Sequence, residues 1–296
     1  TLTVSGLGAN YIISGYIDPN AAKANIEFAT PSLKQVLTYF PTTYSPSDPD
    51  RLKTASGQIN LSQVQGQPLR VELPELSIDD ASWTGWVSIA DMPKPAIEFS
   101  LDVDQLNMSD YLPQSPEAPN IRPAGRSSDS TDAPLGAQAL PRALDLDYDF
   151  SGVIRFGVFQ LFDLVLGDAS TEVILNEGNI SANAVKASVY GGALEGSFNL
   201  SQDSALNLPT LSIKADLREV ALGELLVAAA DQANLTGTGN LSMDLKGSGD
   251  SLLAATQSSS GRFSVSVAEG NFNGVDLGHS LCTLYNRLRG LPEPPP

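Results

Sequence analysis

The chain repeats one unit: two segments in which apolar and polar residues alternate, joined by a polar turn and closed by a Leu-rich step. Residues 192–226 carry it most plainly, as Gly192 to Leu200, Leu211 to Leu217, and Val220 to Leu226. Residues 83–112 repeat it as Trp83 to Ile89, Ile97 to Val103 and Leu106 to Leu112; residues 237–281 repeat it again, and Gly6 to Leu37 is a degenerate copy. Within a unit the period is two. Ile97, Phe99, Leu101 and Val103 alternate with Glu98, Ser100, Asp102 and Asp104, and Leu211, Ile213, Ala215 and Leu217 alternate with Ser212, Lys214, Asp216 and Arg218. Successive side chains of a strand point to opposite faces, so each segment has one apolar and one polar face. Such alternation predicts a mainly β fold, antiparallel, with one solvated side. Stacked units of this kind build one long surface and not a single pocket.

Further strands are predicted over residues 10–17, 23–29, 56–63, 69–73, 151–158, 170–176 and 181–190. Helices are short and end the units: Ser32 to Phe40, with Ser32 as cap, Gly223 to Ala233, and Leu277 to Leu288. Residues 113–143 hold six prolines and almost no aliphatic periodicity, which predicts a disordered linker or loop. It separates a first β-repeat half, 1–112, from a second, 144–290, followed by a Pro-rich tail, 291–296. The chain starts at Thr1 and ends Glu293-Pro294-Pro295-Pro296, so a fragment lacking any targeting segment is expected.

Charge and composition narrow the function. The net charge is −17, from 17 basic and 34 acidic residues, and no basic footprint for nucleic acid is present. No apolar run reaches the ~18 residues that span a bilayer. The single cysteine, Cys282, forms no internal disulfide.

Catalytic constellations are weak. His279 and Cys282 stand three apart, with no third member to orient a nucleophilic pair, and one Cys with one His is too few for a zinc site. Asp79-Asp80, the Asp102/Asp104 pair and the Asp145/Asp147/Asp149 series could act as carboxylate pairs or calcium ligands. The alternating acids are the polar partners of apolar residues, as on a solvated sheet face, and Asp79-Asp80 sit at a turn. Six Asn-x-Ser/Thr triplets, at Asn60, Asn107, Asn179, Asn199, Asn234 and Asn240, fall in strands and repeat turns and read as a structural motif. No enzyme, cofactor or metal is expected. What remains is the apolar faces themselves, which periodicity allows to meet in a closed sandwich or to line an open curved sheet.

Three stretches resemble a known family. The run from Leu101 to Pro113, followed by the Pro/Ala/Ser-rich insert, is similar to the middle of the AsmA family, as is Ala187 to Gly196. Glu269 to Leu281 resembles the end of that family's C-terminal region. The resemblance implies a periplasmic protein anchored to the bacterial inner membrane through an N-terminal helix missing here, related to TamB- and YhdP-like proteins and to bridge-like lipid transfer proteins. It implies an apolar β-groove (a taco) that moves phospholipid in support of outer-membrane assembly, with phospholipid acyl chains, the inner membrane and envelope proteins as partners. The groove residues expected are Ile97, Phe99, Leu101, Leu194, Phe198, Leu211, Ile213 and Phe263. Two rivals stand beside this reading: a non-catalytic β-repeat scaffold of the envelope with a closed core, and a hydrolase using converging carboxylates.

Overall fold

In a computed structural model, residues 1–6, 8–37, 46, 48–90, 95–112, 148–203, 208–230, 235–272 and 286 are described. They contain fourteen strands and four short helices. The first seven strands are β1 (Leu2–Gly6), β2 (Ala9–Ile17), β3 (Ala21–Thr30), β4 (Ala55–Val64), β5 (Leu69–Ile78), β6 (Ala81–Ala90) and β7 (Ala96–Asn107). The second seven are β8 (Asp149–Leu161), β9 (Leu164–Asn176), β10 (Asn179–Val189), β11 (Gly192–Asp203), β12 (Leu208–Ala221), β13 (Leu235–Ser248) and β14 (Ser260–Phe272). The helices are α1 (Leu33–Leu37), α2 (Met108–Tyr111), α3 (Leu222–Ala230) and α4 (Leu252–Gln257).

All fourteen strands form one sheet in chain order. Every neighbouring pair is antiparallel except β7 and β8, which run parallel. That exception departs from the antiparallel pattern expected along the chain. Its cause is the connection: β8 begins with Asp149 opposite Ala96, at the start of β7, so the chain returns the length of a strand before pairing. A tight hairpin cannot make that return, and a long crossover can. Among the described residues β1 and β14 each have one strand neighbour, so the sheet is unclosed.

The repeated unit is β-β-α. β2, β3 and α1 form one copy, β6, β7 and α2 a second, and β11, β12 and α3 a third. α1, α2 and α3 each follow a strand running the same way, so all three stand on one rim of the sheet, the helical rim. The opposite rim is mostly turns and carries α4. The sequence places α1 and α3 within a few residues: Ser32 Oγ accepts the Gln35 N–H at 3.3 Å as the N-cap of α1. The helix expected over 277–288, the linker 113–143, the tail 291–296, and His279 and Cys282 lie outside the described residues.

The sheet curls. Leu166 and Ala169 of β9, Ala187 and Val189 of β10, and Leu217 and Val220 of β12 share one buried cluster, with Phe156 of β8 and Met243 of β13 packed against it. The cluster runs through adjoining strands, with Leu194 of β11 packed between β10 and β12. α3 touches β9 as well as β12 and β13, and its Leu225 joins the cluster. Glycine permits the tight coil at Gly85, where φ is +134° and a Cβ would stand 2.0 Å from the Ser100 carbonyl oxygen.

Candidate functional site

The site is a face and not a pocket. Cross-strand partners share a face, so register carries one side of the sheet from strand to strand. Phe99 on β7 stands opposite Val87 on β6 and Gly152 on β8. From Gly152 the row runs through Val173, Ala182, Phe198, Ile213 and Leu245 to Gly261 on β14. Backwards it runs from Val87 through Val71, Leu61 and Ala24 to Gly15 on β2. A parallel row holds Ile89, Ile97, Phe150, Leu175, Ile180, Leu200 and Leu211. A third holds Leu194, Leu217, Leu241 and Val265.

All eight residues expected from sequence, Ile97, Phe99, Leu101, Leu194, Phe198, Leu211, Ile213 and Phe263, therefore lie on one face. Their surroundings differ. Leu211 is 6% exposed and Leu194 packs on the buried cluster, whereas Phe263 on the edge strand is 51% exposed. The sequence reading missed Ile26, Ile59, Leu61, Val71, Trp83, Val87 and Ile89, which extend the face through the first half. The alternation of residues 81–90 carried that signal for β6.

No charged residue stands on this face in any of the rows between β2 and β14. The charges occupy the other face. There Lys214 pairs with Asp244 at 3.2 Å, Arg218 with Glu195 at 3.3 Å, and Arg155 with Asp102 at 3.5 Å. These pairs are exposed, contribute little to stability, and keep that face wet. Twelve inter-strand steps from β2 to β14 make the uncharged strip about 58 Å long, measured along the sheet.

Interruptions in the alternation preserve the strip. Leu73 and Leu76, Leu166 and Ala169, and Leu217 and Val220 are three apart, yet face the same way. In each gap two residues in succession turn outward, as Pro74-Glu75, Gly167-Asp168 and Arg218-Glu219. The partner register shifts at these points. Asp168 at φ +48° and Glu219 at φ +55° make two of the bulges, and Ala184 at φ +50° makes another in β10.

The helical rim is held by a polar clamp. Arg51 Nη2 donates to Asp110 Oδ2 at 2.5 Å and Arg51 Nη1 to Asp80 Oδ1 at 2.6 Å, both with most of the Arg51 side chain covered. Asp79 accepts the backbone N–H groups of Leu52, Lys53 and Thr54 and the Tyr111 hydroxyl, at 2.7 to 3.1 Å. Burial acts to raise the Asp79 pKa, but the N–H donors of Thr54 and Leu52, the Tyr111 hydroxyl and the Lys53 N–H outweigh it, leaving the carboxyl below its ordinary value. Burial, then the hydrogen bond to Asp79, raises the Tyr111 phenol. Asp79-Asp80 is thus a bonded structural turn. Asp102 and Asp104 lie with the solvated face: Asp104 Oδ1 accepts the N–H of Ser82 and of Gln105. Asp149 opens β8, while Asp145 and Asp147 are outside the described residues.

Asparagines of the Asn-x-Ser/Thr triplets serve backbone and strand pairing. Asn107 caps α2, Asn60 accepts from Asn25 at 2.7 Å, and Asn240 accepts the N–H of the bulge residue Glu219 at 2.9 Å. Among the described residues no group of three or more His, Cys, Asp or Glu is arranged to hold a metal. Among them, too, no helix is long and apolar enough to cross a membrane.

Searches of curated proteins and of solved structures return no match. A family model, that of the AsmA family, matches residues 25–292, from β3 through β14 and beyond. An uncharged face built from β-β-α units, with a family match over nearly the whole chain, places this protein: it belongs to the AsmA family.

Proposed function

We propose that this chain is a non-catalytic lipid carrier of the bacterial envelope, whose uncharged face shelters phospholipid acyl chains on their way to the outer membrane. One observation supports this most: fourteen strands in chain order turn the same side inward, and that side carries no charge from β2 to β14. Each methylene moved from water onto such a face gains roughly 0.8 kcal/mol, without a directional contact to hold it in one place. An acyl chain therefore binds and still slides. The periplasm, an inner-membrane anchor outside this chain and envelope partners come from the family likeness and belong to the same proposal.

Native mass spectrometry of the gently extracted protein tests it, together with photo-crosslinkers at Ile97, Phe99 and Leu101 against Glu98 and Asp102. Co-purified phospholipid and adducts from the first three positions alone are expected. A folded protein that carries no lipid, or labels both faces equally, ends the reading. The buried cluster under α3 favours the scaffold reading for the second half alone.

A further inference from the structure

Trp83 breaks a rule that its neighbours keep. It stands on the inner face of β6, opposite Leu76 of β5 and Val103 of β7, with Ala81 and Gly85 on either side of it along the strand. None of the four offers a polar side chain, and Val103 and Ala81 are fully buried. The Trp83 side chain is half-buried, yet its Nε1 is shielded from water and has no hydrogen-bond partner. Among the described residues it is the one buried side-chain polar atom left in that state. A buried N–H without an acceptor destabilises a fold, and Phe would fill the same place without that cost. Polar groups of the helical rim nearby are engaged: Arg51 with Asp80 and Asp110, the Tyr111 hydroxyl with Asp79, and the Gln105 amide with the Asp80 carbonyl at 2.9 Å. The Trp83 N–H is a donor with no bond to lose.

An indole N–H only donates, so what completes it is an acceptor. That acceptor is uncharged. The strip holds no cation to offset a carboxylate or phosphate, and Arg51 at the rim is already bonded to two acids. The uncharged acceptor that a diacyl lipid carries at the head of each chain is its ester carbonyl. The position suits one. Trp83 lies two residues in from the start of β6, about 7 Å from the helical rim, where a chain lying on the strip with its headgroup beyond the rim brings its ester. Rotation about the broad outer torsion of the indole turns the N–H toward the strip without breaking a hydrogen bond. Resting on the lipid-carrying reading, we infer that Trp83 reads the ester of a diacyl lipid: its Nε1–H donates to an acyl-ester carbonyl oxygen, so the face favours ester-linked over ether-linked chains. One neutral hydrogen bond shifts binding by about fivefold, which slows a sliding chain without trapping it.

The test gives the purified full chain vesicles of an ether-linked phosphatidylcholine, doped with equal amounts of dioleoyl phosphatidylethanolamine and its ether-linked counterpart. Native mass spectrometry counts the two dopants carried away. The parent should carry the ester lipid about fivefold over the ether. Trp83→Phe keeps an aromatic ring and removes the donor, so it should carry the two alike. Equal carriage by the parent, or a preference that survives in Trp83→Phe, overturns the ester contact and leaves the carrier reading standing. Carriage of no lipid at all ends both. A second readout follows the donor itself. The chain has two tryptophans, and Trp86 faces outward with the Arg70 guanidinium 3.8 Å from its ring centroid. The labelled protein therefore gives two indole N–H resonances, assigned with Trp86→Phe. The ester lipid should move the Trp83 resonance downfield and the ether lipid should not. A resonance that both lipids move equally, or that neither moves, overturns the contact, and this measurement on the parent decides alone where Trp83→Phe does not fold.

Discussion

Asp79 shows how much one side chain organises. It stands at φ +52° in the two-residue turn between β5 and β6 and collects three N–H groups from the loop that precedes β4, together with the Tyr111 hydroxyl. Asp79→Asn keeps the shape but loses the charged acceptor, and a loss of about 1–3 kcal/mol in denaturant unfolding is expected. The pH dependence has a definite sign. The folded pKa lies below the unfolded value of ~3.9, so the carboxylate stabilises fully above that value and its contribution is lost as pH falls through the folded one. Below about pH 4 the stability of Asp79→Asn should therefore fall less steeply than that of the parent; identical acid slopes would remove Asp79 from the account. Gly85 carries a different constraint, of backbone and not of charge. Ala there meets the Ser100 carbonyl and a φ of +134°, so a loss of about 3 kcal/mol or more is expected in thermal unfolding, with faster amide exchange in β6 and β7.

At the scale of elements, strict period two is legible and its exceptions are not. Residues 97–103 of β7, 211–217 of β12 and 263–267 of β14 follow the alternation and were readable in place. β5 reads as ending at Leu73 because Pro74 and Glu75 both turn outward, yet the strand resumes its phase at Leu76 and continues to Ile78. A bulge adds one residue to one strand, which leaves no trace in a local window but is plain once the neighbour's register is known. The parallel β7–β8 pair was hidden for a related reason: strand direction across a long connection depends on where the chain comes back, and that is set by tertiary pairing. α1 and α3 were legible because each follows a complete strand pair, whereas α2 reads in the sequence only as a Leu-rich step and α4 gives no signal there. Leu225 of α3 projects into the buried cluster, so Leu225→Ala should cost about 1–2 kcal/mol and raise amide exchange in α3 ahead of the strands. Unchanged exchange would show that α3 is not held by that contact.

For the molecule as a whole, the sequence defines a face but not its openness. Alternation puts Phe99 and Leu217 on the same side, and nothing local in either strand tells that Leu217 is buried in the cluster on which α3 packs while Phe99 is only half-buried. The difference arises from what covers the face: α3 touches β9, β12 and β13, and its Leu225 packs against the cluster. The same substitution in the two places therefore has different outcomes. Leu217→Glu puts a carboxylate inside the cluster with Val189 and Val220, and a loss of about 3 kcal/mol or more, with the second half unfolding first, is expected. Phe99→Glu puts the same charge where water still reaches it. The fold should persist with a smaller loss, while lipid carriage fails because hydrocarbon must pass a charge. Ser100→Glu, one residue on and on the solvated face, should stay within about 0.5 kcal/mol of the parent and carry lipid normally. Denaturant unfolding paired with lipid co-purification reads all three. Equal destabilisation by Phe99→Glu and Leu217→Glu would mean that the face is closed along its whole length, and the carrier would give way to the scaffold.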